Sequence, residues 1–582
     1  MKALVRIAGF VGKSPWLLAV LALTVAWLVV QPWGNYALND DWTYAHMAKH
    51  IAATGKVLID VPIAPNAIGQ ALLGAAVVKI FGFSHTILRI LTMLVACAGL
   101  WGIDRLISHV VSQKPLRVMA LLVIAFNPIY FYSATSYMNE LHGWVPAIFA
   151  TAIWFEGRKR NAAGTDEPVS FVHAVLAGLV AGAVFWTRQT AVLVFPAFVG
   201  ATTLRLVLLG RWKALARSLP ALAATTVVFG GAIYLFFVWA KASGNFRPEF
   251  STRIGNLTKI DELTYEMQAG SALVYETAFF LPLLVLFRWK SERRWLLDLG
   301  AIAFLFVGIT TKYLFEVHAP SDFWIGPIWS HRYFPFVVNI VYNAGLGPIT
   351  LDDAFFNDVA KASWPKWVWM GIESVLIFAG VLWSPVCAAV GRQWNESKQS
   401  WSTEVVWFGV LLTLGGLVAI IQTHQGEMVD RYYLTIIVGL AVLVPTALST
   451  VLPADVGSYQ FLKYATIQGL LVIFCVFGAH DQFRWNDARW KLIGQAMAKG
   501  GTRGTVQAGY ELNCWNQYER MSPEELGCNG QCRCDNGGFC CVDDRWRVGL
   551  TLRPGYTQVA AIQPSYWLAD GPPVILGHRG PL

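Results

Sequence analysis

Long apolar stretches separated by short polar breaks dominate this chain. Stretches able to form membrane-crossing helices fall at 14–32, 86–104, 117–134, 141–157, 170–187, 189–208, 219–240, 271–288, 295–314, 365–390, 403–422, 431–449 and 461–480, thirteen in all. Each approaches the roughly 20 residues that a helix needs to cross a hydrocarbon core about 30 Å thick. A further apolar segment at 64–83 is read instead as a helix lying in the outer interface, because counting it as a crossing would put the cluster Arg105, Lys114 and Arg117 on the outside.

Composition supports a membrane chain. Of 582 residues, 55% are hydrophobic and 14% charged, and the mean hydropathy is +0.47. A soluble chain of this length could not cover so much apolar surface. The first stretch follows Lys2, Arg6 and Lys13 but has no small-residue cleavage site, so it reads as a retained helix and not as a signal peptide.

The net charge of +9 excludes little until its distribution is read. Lys and Arg gather between apolar stretches, which is a topology signal, and nucleic acid is not an expected partner. With 64–83 in the interface, the groups Arg158, Lys159 and Arg160, then Arg211, Lys213 and Arg217, then Arg288, Lys290, Arg293 and Arg294 all fall on the cytoplasmic side. The N-terminus is then inside and everything after about His480 outside. Long loops at 33–85, 241–270 and 315–364 face outward, so binding surface is concentrated there. No repeat relates the two halves, which disfavours an inverted-repeat transporter.

Cysteine usage agrees with that orientation. Cys97, Cys387 and Cys475 stand singly in apolar runs, whereas Cys514, Cys528, Cys532, Cys534, Cys540 and Cys541 crowd the tail. A dense, even cluster without a CxxC pair or an interleaved His favours disulfides over a metal site, and hence an oxidising compartment. The expected fold class is therefore a mainly α polytopic membrane protein. Residues 1–480 form the membrane domain and 481–582 a small, extracytoplasmic, disulfide-containing α/β domain.

Chemistry begins just beyond the first apolar stretch, where Asp40 and Asp41 adjoin. Two carboxylates at a membrane surface are costly unless paired, capped or used. One reading is structural: Asn39 or Asp40 caps the helix through Tyr44, His46 and Met47, with Asp41 favoured by the helix dipole. The other is a general base that takes a proton from an attacking hydroxyl. Glu140 falls in a short outer loop on the same side. Arg188, His331, Arg332 and Arg431 also stand at outer ends of apolar stretches, against the positive-inside trend. As a set they suit a phosphate, although Arg431 beside Asp430 also suits a local salt bridge. Lys312, Glu316, His318, His424 and Glu427 are weaker candidates, and the tail shows no triad or phosphate loop.

Several runs together resemble the GT-C glycosyltransferases, in particular bacterial proteins similar to protein O-mannosyltransferases and lipid A aminoarabinose transferases. They are LNDDWTYA at 38–45, the segment from Gly69 and Gln70 to Leu88 and Arg89, WTRQT at 186–190, GLGPITL at 345–351, DRYYL at 430–434, NDARW at 486–490 and GYELN at 509–513. The resemblance implies a GT-C bundle with outer juxtamembrane helices, and a sugar donor carried on polyprenyl phosphate. It also implies an active site on the outer face of a bacterial cytoplasmic membrane, and inversion at the anomeric carbon. The family's first acidic residue maps onto Asp40 as base. The second, usually the Asp of a Thr-Asp pair, falls on Asn139-Glu140.

A divalent ion is left open, with Asp40, Glu140 and His424 as ligand candidates, and no other cofactor is expected. The acceptor hydroxyl can belong to a protein, a lipid or a glycan. The competing readings are a flippase or transporter for lipid-linked saccharides, an oligosaccharide ligase or polymerase leaning on His331 and Arg332, and a scaffold that has lost its activity.

Overall fold

The structure is a computed structural model that describes residues 14–59, 66–160, 168–245, 262–287, 339–342, 345–348, 350–351, 364–397, 400, 402–422, 429–453, 457–518 and 542–580. In chain order its helices are α1 (Pro15–Val30), α2 (Asp41–Thr54), α3 (Ile68–Phe81), α4 (His85–Ile107), α5 (Lys114–Ala125), α6 (Pro128–Ala134), α7 (Asn139–Arg160), α8 (Phe171–Val184), α9 (Val194–Leu208), α10 (Trp212–Ala242) and α11 (Glu262–Leu284). There follow a hairpin of β1 (Val341–Tyr342) and β2 (Gly345–Leu346), then α12 (Lys366–Ala379), α13 (Trp383–Ser397), α14 (Thr403–Gln422), α15 (Leu434–Val451) and α16 (Ser458–Ala498). The tail adds β3 (Val506–Gln507), α17 (Tyr510–Tyr518), β4 (Trp546–Gly549), β5 (Tyr556–Ile562) and β6 (Val574–Arg579).

This is a multi-pass membrane protein. Among the described residues six helices are long and apolar enough to cross a bilayer, and a seventh crossing is formed if the bent pair α5 and α6 counts as one. Five shorter apolar helices accompany them, α1, α3 and α8 among them. The expected crossing at 117–134 is broken by a 67° bend. Asn127 caps α6 by accepting hydrogen bonds from the N–H groups of Ile129 and Tyr130, and Pro128 opens that helix. The stretch at 141–157 lies inside the 22-residue α7, which is not among the six. The segment at 295–314 lies outside the described residues.

Helix α3 is the apolar segment expected in the outer interface. Its 14 residues span only about 21 Å at a rise of ~1.5 Å each, too short for the hydrocarbon core. One side buries Ala71, Ala75 and Val78, and the other exposes Leu72, Leu73, Ile80 and Phe81. The helix is fastened to two loops: Gln70 Nε2 donates to the Tyr137 carbonyl at 2.8 Å, and the Ile68 N–H donates to the Trp186 carbonyl at 2.8 Å.

Helix α16 is 41 residues long, about 61 Å at the same rise, so it extends well past a membrane. It runs without a break through position 480, and membrane part and tail therefore share one helix. Beyond that point Trp485, Ala488, Leu492 and Ala496, at helical spacing, bury against Val506, Trp546, Val548, Val574 and Leu576. These belong to a four-stranded sheet of order β3-β4-β6-β5, in which β3 and β4 run parallel and the other neighbours antiparallel. Cys514 in α17 is disulfide-bonded. The other five tail cysteines lie outside the described residues, and Cys97, Cys387 and Cys475 are free thiols.

The bundle has two chemically distinct ends. At one, Arg117 Nη2 meets Asp104 Oδ1 at 2.6 Å. Drawn from separate stretches, the last turns of α7 and α9 and the start of α14 bring Arg158 Nη2 and Arg205 Nη1 to Glu404 Oε1 at 2.7 and 3.3 Å. Arg158, expected in a basic cytoplasmic cluster, is buried in an ion-paired core. The other end holds the acidic loop and everything described next.

Candidate active site

The loop before α2 is shaped by groups far away in sequence. Arg89, buried near the start of α4, donates to the carbonyls of Pro32, Gly34 and Tyr36 at 2.7, 2.8 and 3.0 Å. Tyr36 in turn hydrogen-bonds Asp487 of α16 at 2.8 Å and stacks on Trp490. A guanidinium satisfying three loop carbonyls fixes where the chain enters α2.

Within that loop the two aspartates differ. Asp41 is 1% exposed, and its oxygens accept from the N–H of Leu38 at 2.5 Å and of Tyr137 at 3.2 Å. Burial pushes its carboxyl up to about 7, against the pull of Arg89 and these two N–H groups. Asp40 stands at the N-cap position of α2 but makes no capping hydrogen bond with its side chain. The Asn39 amide also points away from the helix, toward Asn339 Oδ1 at 3.4 Å. The capping alternative is therefore corrected: Asp41 ties the turn through Leu38, and the Asp40 side chain is turned elsewhere.

Asp40 Oδ2 meets Arg431 Nη1 at 2.9 Å, and its side chain is 25% exposed. Arg431 Nε lies 3.5 Å from Glu140 Oε1, so one guanidinium joins the two carboxylates. The expected pairing of Arg431 with Asp430 does not form. Asp430 instead accepts from the N–H groups of Ile340 and Val341, at 2.6 Å for the latter, and anchors the β1–β2 hairpin.

Glu140 sits in the first turn of α7, where the helix dipole favours a carboxylate. Its Oε1 also receives Arg188 Nη1 at 3.0 Å, and the same nitrogen bonds Asn139 Oδ1. Arg188 reaches this position because Gly143, one turn along α7, has no side chain: a Cβ there would come within 2.7 Å of Arg188 Cβ. Both guanidiniums lie over the Tyr432 ring, at 5.4 and 5.9 Å from its centre. Tyr44 is buried beside them, and burial together with the Asp40 charge holds its hydroxyl far above the ordinary range.

Asp40, Glu140, Arg188 and Arg431 thus come together although they are drawn from four separate stretches. Four buried atoms of this cluster, Glu140 Oε2, Arg188 Nε, Arg431 Nε and Asn139 Nδ2, make no hydrogen bond. Such atoms are costly to bury unless something else satisfies them. Tyr44, Tyr432 and Asn139 carry no signal of their own in the sequence beyond their place in runs that also hold a charged candidate. His331, Arg332, His424, Lys312, Glu316, His318 and Glu427 lie outside the described residues.

Among the described residues no three of His, Cys, Asp and Glu gather as a metal shell. Arg431 joins Asp40 and Glu140, and His424, the third candidate ligand, lies outside the described residues.

No family model matches this sequence, and no curated protein matches it. Among solved structures it is similar to ArnT from Cupriavidus metallidurans bound to undecaprenyl phosphate, with 14% identity and a TM-score of 0.40 over 97% of this chain and 99% of that one. The apo form of that protein aligns at 12% identity and a TM-score of 0.36. The oligosaccharyltransferase AglB from Archaeoglobus fulgidus, in complex with an inhibitory peptide and a dolichol-phosphate, aligns at 13% identity and 0.43 over 83% of this chain and 59% of that one, so this chain spans less than two thirds of its length.

Proposed function

We propose that this chain is an inverting glycosyltransferase of the GT-C type, which moves a sugar from a polyprenyl-phosphate donor to an acceptor hydroxyl on a protein, lipid or glycan. The observation that carries the proposal is Arg431 lying between Asp40 and Glu140 while the Asp40 carboxylate, unlike that of Asp41, accepts no backbone N–H and is partly exposed. A base needs an accessible carboxylate, and a phosphate leaving group needs fixed cations close to that base.

In the proposed reaction Asp40 takes the proton of the acceptor hydroxyl. The freed oxygen attacks the anomeric carbon from the face opposite the phosphate, and the bond from that carbon to the phosphate oxygen breaks with its electron pair going to the phosphate. Arg431 and Arg188 stabilise the charge that collects there, so no acid is required. Glu140 holds both guanidiniums in place and keeps them from repelling one another. The unsatisfied Arg188 Nε and Asn139 Nδ2 are donors suited to phosphate or sugar oxygens. No step runs through a metal.

The reaction is placed on the extracytoplasmic face of a bacterial cytoplasmic membrane. What supports this is the charge pattern: Arg105, Lys114, Arg117, Arg211, Lys213 and Arg217 lie at the turns opposite the site. Purified protein in liposomes, supplied with a polyprenyl-phosphate sugar and a mixture of acceptors, tests the reading. Arg431→Met is expected to lose transfer by at least about a hundredfold, since a charge-stabilising donor of this kind is worth about 10²–10³ in rate. Full transfer by folded Arg431→Met contradicts the reading, and lipid translocation without any transfer favours a flippase.

A further inference from the structure

Glu511 lies in the tail, 471 positions beyond Asp40, yet it bonds the peptide beside it. Its Oε1 accepts the Asn39 N–H at 3.0 Å. The same carboxylate accepts Thr350 Oγ1 at 2.6 Å and meets Arg489 Nη2 at 2.7 Å. Three segments therefore converge on one buried group: the stretch after the β1–β2 hairpin, the end of α16, and the first turn of α17. Gly509 makes the approach possible. Its φ is +103°, and a Cβ there would lie 2.7 Å from both Arg489 Nη2 and the Thr350 carbonyl.

The clamp acts on a peptide in an uncommon conformation. Asn39 has φ +54°, in the left-handed region that asparagine tolerates better than other non-glycine residues and β-branched residues resist. That conformation sets the direction in which the next residue, Asp40, leaves the loop. On the far side Trp42, fully buried, meets the edge of the Tyr510 ring at 6.1 Å and packs with Cys514. The tail helix thus grips the loop on both sides of Asp40.

We infer that Glu511 is a positioning residue for the proposed base, so that the tail domain completes the active site by holding the Asn39 peptide and thereby aiming Asp40 at Arg431. The inference rests on Asp40 being that base. Burial alone would raise the Glu511 carboxyl, but Arg489, Thr350 and the Asn39 N–H outweigh it and hold the carboxyl below its ordinary value. The acceptor for Asn39 is therefore ionised throughout the neutral range. Neither Glu511 nor Arg489 is placed to touch a substrate, since the polar atoms of both are taken up by Asn39, Thr350, Asn486, Ala508 and each other. Their effect should appear in turnover and not in donor binding.

The test uses the full chain in liposomes and reads kcat and donor KM separately. Glu511→Ala is expected to lower kcat at least about tenfold with donor KM within about twofold, and Glu511→Gln, which keeps an oxygen for the Asn39 N–H, should lose less. Asn39→Val and Asn39→Gly approach the same point from the loop, in case Glu511→Ala does not fold. Valine resists the left-handed conformation and glycine accepts it, so the valine variant should lose at least about fivefold more kcat than the glycine variant. Wild-type kcat in folded Glu511→Ala, equal kcat in the two Asn39 variants, or a loss confined to KM each overturns the inference. Failure of the underlying reading is separate: it shows as full transfer by Asp40→Asn, whatever the Glu511 variants do.

Discussion

Asp41 has both carboxylate oxygens engaged by backbone N–H groups, and burial raises its carboxyl from 3.8 to about 7. The folded protein therefore holds a proton there between about pH 4 and 7 that the unfolded chain has released. Proton uptake on folding means that stability falls as pH rises across that window and levels off above it. Asp41→Asn, which cannot ionise, should lack this fall. Unfolding midpoints in detergent, taken from pH 4 to 8, check it, and parallel curves for variant and parent contradict it. A second residue-scale expectation concerns Gly143, where a methyl group would push on the stem of Arg188. Gly143→Ala should lower kcat/KM for the donor roughly tenfold, in line with a strain of about 1–2 kcal/mol, as initial rates over donor concentration will tell. Asp40, Glu140, Arg188 and Arg431 are all visible in the sequence as carboxylates and cations at the ends of apolar stretches. The choice between Asp40 and Asp41 is not visible on physical grounds, because it depends on Leu38, Tyr137 and Arg431 approaching from elsewhere. Glu511 is hidden for the same reason, since nothing local marks a tail carboxylate as the partner of Asn39.

At the scale of elements, the Glu404 cluster joins three helices. Arg158 of α7, Arg205 and Thr202 of α9 and Glu404 of α14 are buried together, with Thr202 Oγ1 donating to Glu404 Oε2 at 2.7 Å. Removing the carboxylate leaves two buried guanidiniums without a counter-charge. Glu404→Gln should cost about 3–5 kcal/mol, read as a lowered unfolding midpoint in detergent, and an unchanged midpoint would contradict the cluster's role. Helix boundaries were largely legible because hydropathy reports burial in lipid directly: 403–422 coincides with α14, and 14–32 brackets α1 within two residues. The reading falters where another force decides. At 117–134 the apolar run continues straight through Asn127 and Pro128, and a cap bends the helix there. After 480 the hydropathy drops while the helical spacing of Trp485, Ala488, Leu492 and Ala496 carries on, so α16 ends at Ala498.

At the scale of the whole molecule, membrane bundle, juxtamembrane helices and tail meet around one polar cluster. Arg89 of α4, Asp487 of α16 and Glu511 of α17 each hold a part of the loop that presents Asp40. On the proposed reading, in which Arg431 and not a divalent ion joins Asp40 to Glu140, transfer should proceed at an unchanged rate in the presence of a chelator. Loss of activity on chelation, restored by a divalent ion, would contradict this. The most direct test of the central claim is transfer from a polyprenyl-phosphate sugar by Asp40→Asn in liposomes. The account predicts a loss of about 10²–10⁴ in rate with the unfolding midpoint of the parent protein, because the base is removed and the shape is kept. Transfer at the parent rate by that folded variant would contradict it.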